Sequence, residues 1–196
     1  NRDREYDINI SADPELENPK LLHLNRLPAR ATVIPALHKG VYYRNKEESE
    51  LITLINGDYS FYYAPYDSMP EFYLTDFEES GWDTIDVPSM WQYRGYGKPA
   101  YPNVLYDIPF NPPYVSCENP VGYYRRHFSF SPLNSGGRAM LHFDGVDNAF
   151  YVYLNGKEVG MSKGSRMPAE FDVTDIIKEG DNLLAVKVFT HSDATY

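Results

Sequence analysis

Apolar and polar residues alternate over several short stretches of this chain, and this period of two predicts β-strands with two distinct faces. The first clear stretch, residues 59–63, follows the turn signal Asn56-Gly57. A shorter stretch, residues 82–87, ends at Pro88. Because proline cannot donate a hydrogen bond to a neighbouring strand, the shorter stretch is predicted to lie at a sheet edge.

Strand signals are denser in the second half of the chain. Alternating runs cover residues 124–130, 138–143, 150–154 and 184–189. The third run leads into Asn155-Gly156, which favours a type I′ hairpin turn because both central residues of that turn need a positive φ. Residues 175–178 are long enough only for a helical turn. Many short strands with little helix predict an all-β sandwich or jelly roll.

Two segments lack this alternation. The first 19 residues are acidic and interrupted by proline, so we predict an extended arm that does not join the core. We place the N-terminal arm at residues 1–40 and the β-domain at residues 41–196. Residues 101–124 form a long loop rich in proline, tyrosine and asparagine. Since proline lowers the entropic cost of ordering, this loop is predicted to belong to a binding site.

Composition excludes some classes of partner. A net charge of -10, from 28 acidic and 18 basic residues, argues against nucleic acid, which needs a clustered basic surface. The single cysteine, Cys117, excludes an intrachain disulfide. No run approaches the roughly 18 apolar residues of a membrane helix, so we expect a soluble protein without a membrane partner. The cytoplasm and the periplasm both stay open as compartments.

No motif for self-sufficient catalysis occurs in the sequence. The five histidines lack metal-binding spacing, and there is neither a G-x-S-x-G elbow nor a phosphate-binding glycine loop. Four carboxylates could pair as the acid and base of a glycosidase, although sequence spacing cannot establish the required separation of about 5–10 Å. Turn and capping roles are commoner for such residues. The four are Asp144, Asp147, Glu170 and Asp172.

Several longer motifs occur in a recognisable order, and together they resemble the amino-terminal sugar-binding domain of the large β-galactosidases of glycoside hydrolase family 2. The resemblance covers about residues 18 to 193. The motifs are Asn18-Pro19, Leu24-Asn25-Arg26-Leu27-Pro28, Val87-Pro88-Ser89-Met90-Trp91-Gln92, Gly95-Tyr96, residues 101–113, Glu118-Asn119-Pro120, Phe143-Asp144-Gly145-Val146, Asn155-Gly156 with Val159-Gly160, Ser165-Arg166-Met167-Pro168-Ala169-Glu170-Phe171-Asp172 and Ser192-Asp193.

The resemblance implies a jelly-roll, galactose-binding-like β-sandwich that packs against a (β/α)8 barrel. Because a barrel needs about 250 residues, we expect this chain to be a fragment without it. The catalytic glutamates of the family lie in the barrel, so no catalytic residue is assigned in this chain. The implied parent is a retaining enzyme that hydrolyses terminal β-D-galactosides such as lactose, and the chain alone is expected to be inactive.

The resemblance also implies partners, ions and two site residues. The parent is expected to use sodium and magnesium and to form a homo-oligomer, with residues 18–28 resembling the part that supports assembly. Asn103 matches a loop asparagine that reaches the galactosyl site, where an amide can both donate and accept. Asp193 matches an aspartate that binds sugar hydroxyls and a sodium ion. Without the resemblance, both residue types are common turn formers.

Three alternatives remain open. The parent could be another family 2 glycosidase, such as a β-glucuronidase or a β-mannosidase, and a glucuronate pocket would need a cation for the substrate carboxylate. The chain could be a non-catalytic carbohydrate-binding module, which would bind sugar by itself. It could also be a purely structural domain, in which Asn103 and Asp193 have no role in binding.

Overall fold

The computed structural model describes residues 13–99, 108, 110–116, 118–133 and 136–196, and in them the regular secondary structure is mostly antiparallel β-strand. A seven-stranded sheet has the order β1-β7-β6-β9-β4-β2-β3, and a two-stranded sheet pairs β5 with β8. The strands in these ranges are β1 (His23–Leu24), β2 (Gly57–Ala64), β3 (Asp83–Val87), β4 (Val121–Phe130), β5 (Met140–Phe143), β6 (Ala149–Leu154), β7 (Lys157–Lys163), β8 (Ala169–Asp172) and β9 (Gly180–Phe189).

The two sheets form a sandwich, which confirms the predicted fold class. One face of the large sheet packs on the small sheet, where Phe150 of β6 lies edge-on to Phe171 of β8 with 6.3 Å between ring centroids. The opposite face is covered by residues from the 64–82 segment, including Phe72 and Trp82, and by Leu16. The central strands are therefore buried on both faces, and in β9 every residue from Asn182 to Phe189 is buried, including Lys187.

Several predicted elements lie where the local pattern indicated. β3 is the edge strand that ends before Pro88. Asn155 and Gly156 have φ angles of 53° and 76°, and they join β6 to β7 in the predicted hairpin. The amides of Ile176 and Ile177 both donate to the Val173 carbonyl, which confirms the short helical turn.

The prediction that residues 1–19 stay outside the core is wrong for the described residues of that segment. Leu16 is fully buried in the core cluster on the outer face of the large sheet. β1, which also lies in the predicted arm, adds an edge strand to β7. A single leucine and a two-residue strand leave no periodic pattern, so alternation could not reveal them. The domain boundary at residue 40 stays a prediction.

Short 3₁₀ helices complete the described structure at Lys46–Glu48, Trp91–Arg94 and Asp193–Thr195. In the part of the chain that the structure describes, no helix has the length and apolar character needed to span a membrane.

Candidate functional site

Four adjacent strands of the large sheet end in register at the same sheet end. Val121 of β4 faces Phe189 of β9, and Phe189 faces Ala149 of β6. Ala149 in turn faces Lys163, the last residue of β7. The segments that precede β4 and β6 and follow β9 therefore meet at this end, which brings Asp193 beside Lys163.

The backbone of Asp193 is fixed by a capped 3₁₀ helix. Ser192 is fully buried and forms a capping box with Thr195, and its hydroxyl accepts from the Ala194 amide. The same hydroxyl donates to Asn148 Oδ1 at 2.6 Å. Such side-chain caps satisfy amides that a short helix leaves unpaired. Asp193 is thus presented from a rigid turn at the sheet end.

The Asp193 side chain forms a buried ion pair with Lys163. The Lys163 Nζ to Asp193 Oδ1 distance is 2.7 Å, and the two side chains are 0% and 6% exposed. Lys163 Nζ also donates to the carbonyls of Glu15 at 2.8 Å and Asn18 at 3.0 Å. An ammonium group has three donors, so all of them are used. Sequence reasoning missed Lys163; its only signal is a lysine that ends a run of otherwise small or apolar residues.

The arm packs directly against this ion pair. The Asp193 amide donates to the Leu16 carbonyl at 2.7 Å. The Tyr151 hydroxyl lies 2.7 Å from Asp13 Oδ1 and 2.6 Å from Glu15 Oε2. Burial, followed by these carboxylates, raises the pKa of Tyr151, and burial also raises the pKa of Asp13. Residues 13–18 therefore form one wall of the site.

The described part of the predicted binding loop is anchored beside Asp193. Asn119 exchanges two hydrogen bonds with the His191 backbone, each of 2.9 Å. The Val115 amide donates to Glu17 Oε1 at 3.2 Å, which joins the loop to the arm. Asn103 lies outside the described residues, so its predicted role in the site stays a prediction.

One carboxylate oxygen of Asp193 receives no hydrogen bond from the described residues. Among the described residues, the donors to its carboxylate reach only Oδ1, so Oδ2 is the oxygen that could accept from a sugar hydroxyl or contact a cation. Sodium takes several oxygen ligands, and this carboxylate fits as one of them. The described ranges contain no group of three or more His, Cys, Asp or Glu side chains that could hold a metal ion. The remaining ligands would have to come from elsewhere.

The four carboxylates considered as an acid and base pair have structural roles instead. Arg166 binds Asp147, and Arg30 binds both Glu170 oxygens, while His142 lies between Asp144 and Glu170. Hydrogen bonds from Thr174 and Arg138 lower the pKa of Asp172 to about 2. A general acid needs a raised pKa, so the capping and ion-pair interpretation is the better one.

Comparisons with known proteins agree with this architecture. The family described as "Glycosyl hydrolases family 2, sugar binding domain" matches residues 52–196. β-Galactosidases of Staphylococcus xylosus and Kluyveromyces lactis are 38% and 41% identical over 182 and 188 residues, which is 92% of this chain in both cases. The chain spans only 18% and 17% of the length of these two relatives.

Solved structures give the same assignment of the fold. A Bifidobacterium dentium β-glucuronidase complexed with coumarin-3-O-glucuronide has a TM-score of 0.51 and 27% identity, covering 69% of this chain and 19% of that one. A Faecalibacterium prausnitzii β-glucuronidase has a TM-score of 0.53 over 75% of this chain and 22% of its own, and at 20% identity it shows the fold alone. Since the family match spans strands β2 to β9 and includes Asp193, the chain belongs to the sugar-binding domains of glycoside hydrolase family 2.

Proposed function

We propose that the chain is the sugar-binding domain of a retaining β-galactosidase that hydrolyses terminal β-D-galactosides such as lactose. The observation that carries the proposal is the Asp193 carboxylate, which is fixed at the sheet end and whose second oxygen receives no hydrogen bond from the described residues. It occurs in a chain that is 38% to 41% identical to β-galactosidases over 92% of its length. The four carboxylates considered as an acid and base pair are held in ion pairs and caps instead, so the chemistry is assigned to another domain.

In a retaining mechanism, one carboxylic acid protonates the leaving oxygen while a carboxylate attacks the anomeric carbon. The role proposed for this domain is to hold the hydroxyls that do not react. Asp193 Oδ2 accepts a hydrogen bond from a sugar hydroxyl or contacts sodium, and Asn103 donates to and accepts from neighbouring hydroxyls. Such contacts orient the ring for attack, so their loss lowers the rate as well as the affinity.

The partners follow from the length of the relatives. Because the chain spans 17% to 18% of those β-galactosidases, we propose that it works beside a (β/α)8 barrel and further domains of one longer polypeptide. That parent enzyme is a homo-oligomer that uses sodium, partly through Asp193, and magnesium bound outside the described residues. The 196-residue chain is inactive by itself and does not bind nucleic acid.

A β-glucuronidase parent is the second candidate, since solved β-glucuronidases share the fold at 27% identity. A glucuronate pocket needs a free cation for the substrate carboxylate. Lys163 is the cation beside Asp193, but its three donors are already bound to Asp193, Glu15 and Asn18. This arrangement favours a neutral sugar such as galactose.

The test compares hydrolysis of nitrophenyl β-galactoside, β-glucuronide and β-mannoside by the full-length product of the source gene. The expected result is a preference for the galactoside and no activity from the 196-residue chain. Preference for another glycoside would leave the family assignment intact and overturn the proposed substrate. Activity from the short chain would place a complete active site inside it.

The site assignment is tested by Asp193→Asn in the full-length enzyme. Loss of a hydrogen bond to a charged group costs about 1.5–3 kcal/mol, which corresponds to a fall of about 10- to 150-fold in kcat/KM for the galactoside. The dependence of activity on sodium is expected to weaken as well. Asp175→Asn, an exposed aspartate after β8, is the matched control. Wild-type kinetics in Asp193→Asn would remove Asp193 from the site.

A further inference from the structure

We propose that Lys163 is a positioning residue for Asp193, and that through it residues 15–18 of the arm set the orientation of the sugar-facing carboxylate. The kinetic part of this inference rests on the proposed function. The structural part, a cage that joins the arm to Asp193, does not.

Lys163 carries a charge at a place where packing alone favours an apolar side chain. It lies on the outer face of the large sheet beside the fully buried Met161 and Ala149. Its side chain is 0% exposed. A buried ammonium is costly unless it is paired and hydrogen-bonded. The charge at this position therefore depends on specific oxygen partners.

Those partners come from two segments that are distant in sequence. Asp193 lies just after β9, and its Oδ1 is 2.7 Å from Lys163 Nζ. Glu15 and Asn18 belong to the arm, and their carbonyl oxygens are 2.8 and 3.0 Å from the same Nζ. The Asp193 amide also donates to the Leu16 carbonyl. We call this group of contacts the lysine cage. The cage makes the arm and the Asp193 turn a single unit.

The cage determines the direction in which the second carboxylate oxygen points. Because Oδ1 is bound to Lys163, rotation of the carboxylate would break the ion pair inside a site that excludes most water. Oδ2 is then the oxygen available to substrate or cation. Without the ammonium, the carboxylate loses its orientation and the arm loses two hydrogen bonds. Lys163 thus acts on the sugar through Asp193, not by touching it.

The experiment uses the full-length enzyme with Lys163→Met, Asp193→Asn, the double variant, and Lys157→Met as the control. Lys157 is an exposed lysine at the other end of β7. Lys163→Met is expected to lower kcat/KM for nitrophenyl β-galactoside by about as much as Asp193→Asn does. Residues that act as a unit give non-additive effects, so the double variant is expected to lose little more. Lys157→Met is expected to keep wild-type kinetics.

Hydrogen exchange supplies a readout that does not depend on activity. Amides of residues 15–18 are expected to exchange at least about tenfold faster in Lys163→Met, while the amides of β6 and β9 stay protected. If Lys163→Met does not fold, Lys163→Gln, whose amide keeps two of the donors, replaces it in both measurements.

If amide hydrogen exchange in the arm is the same in Lys163→Met as in the wild-type protein, the proposed lysine cage is wrong. If the decrease in kcat/KM of the double variant equals the product of the two single decreases, Lys163 acts independently of Asp193. That result would overturn the positioning role. Activity on another glycoside, or wild-type kinetics in Asp193→Asn, would instead overturn the proposed function. In that case the exchange result still decides whether the cage exists.

Discussion

Asn155 adopts the backbone conformation that a hairpin turn needs, and its side chain also forms tertiary hydrogen bonds. Its φ of 53° suits the hairpin turn. Its side-chain amide also donates to the Ile176 carbonyl and to Asn182 Oδ1, and it accepts from the Leu183 amide. The residue therefore ties the β6–β7 turn to the start of β9 and to the turn that precedes it.

Two substitutions separate these roles of Asn155 in the 196-residue chain. Asn155→Gly keeps the positive φ and loses the side-chain hydrogen bonds, so we expect it to lower the free energy of unfolding by about 1–3 kcal/mol. Asn155→Ala is expected to cost about 1–2 kcal/mol more, because alanine is strained at positive φ. Urea denaturation measures both values. Equal stability of the two variants would contradict the role of backbone conformation.

At the scale of elements, β1 depends on a glycine in the strand beside it. A Cβ on Gly160 would lie 2.3 Å from the Leu24 carbonyl oxygen and 2.9 Å from a ring carbon of Phe171. β1 can therefore approach β7 only because residue 160 has no side chain. A β-bulge at Val152 and Tyr153 accompanies this approach, since they face Gly160 and Glu158 and leave Val159 between them.

Gly160→Ala is expected to displace β1 without unfolding the sandwich. Overpacking of this kind costs about 1–3 kcal/mol, and the loss falls on the β1–β7 pairing because β1 is the edge element. Hydrogen exchange is expected to show faster exchange at residues 23 and 24. Glu158→Ala, at an exposed position of the same strand, is the control. Unchanged protection of β1 would contradict the steric argument.

At the scale of the whole molecule, the net charge of -10 coexists with carboxylates that are individually stabilised as anions. Hydrogen bonds from Lys46 lower the pKa of Asp144. Burial raises the pKa of Glu79, but hydrogen bonds from Arg125 and Ser60 outweigh it, so the pKa is lowered. The pKa shift of Asp13 has the opposite sign, because burial raises the pKa of this carboxyl group.

These shifts predict that acid destabilises the chain. A carboxyl group whose pKa is lowered by folding contributes stability that is fully present above the unfolded pKa, about 4. That contribution is lost as the pH falls towards the folded pKa, which is about 2 for Asp172. The urea midpoint is therefore expected to fall between pH 5 and pH 2.5.

Two variants check the sign of this effect. Asp172→Asn is expected to flatten the dependence of the urea midpoint on pH, because it removes one group with a lowered pKa. Asp13→Asn is expected to steepen it, because protonation of Asp13 favours the folded state. A midpoint that is independent of pH in the wild-type chain would contradict the linkage.

Much of the sandwich could be predicted from local sequence. Alternation located β2, β4, β6 and β9, Pro88 marked an edge strand, and Asn155-Gly156 predicted the hairpin between β6 and β7. These features are local, because a strand shows its period and a turn its residues within a few positions. The order of the motifs likewise indicated the family, and the family match over residues 52–196 confirms it.

The sequence by itself therefore determined the fold class, the family and Asp193 as the candidate site residue. Only the tertiary structure decided that Leu16 joins the core, that β1 pairs with β7, and that Lys163 holds Asp193 against the arm. These are contacts between residues far apart in the chain, 148 positions in the case of Lys163 and Glu15. Such contacts are single and non-periodic, so they leave no local pattern and exist only once the sheet brings its strand ends together.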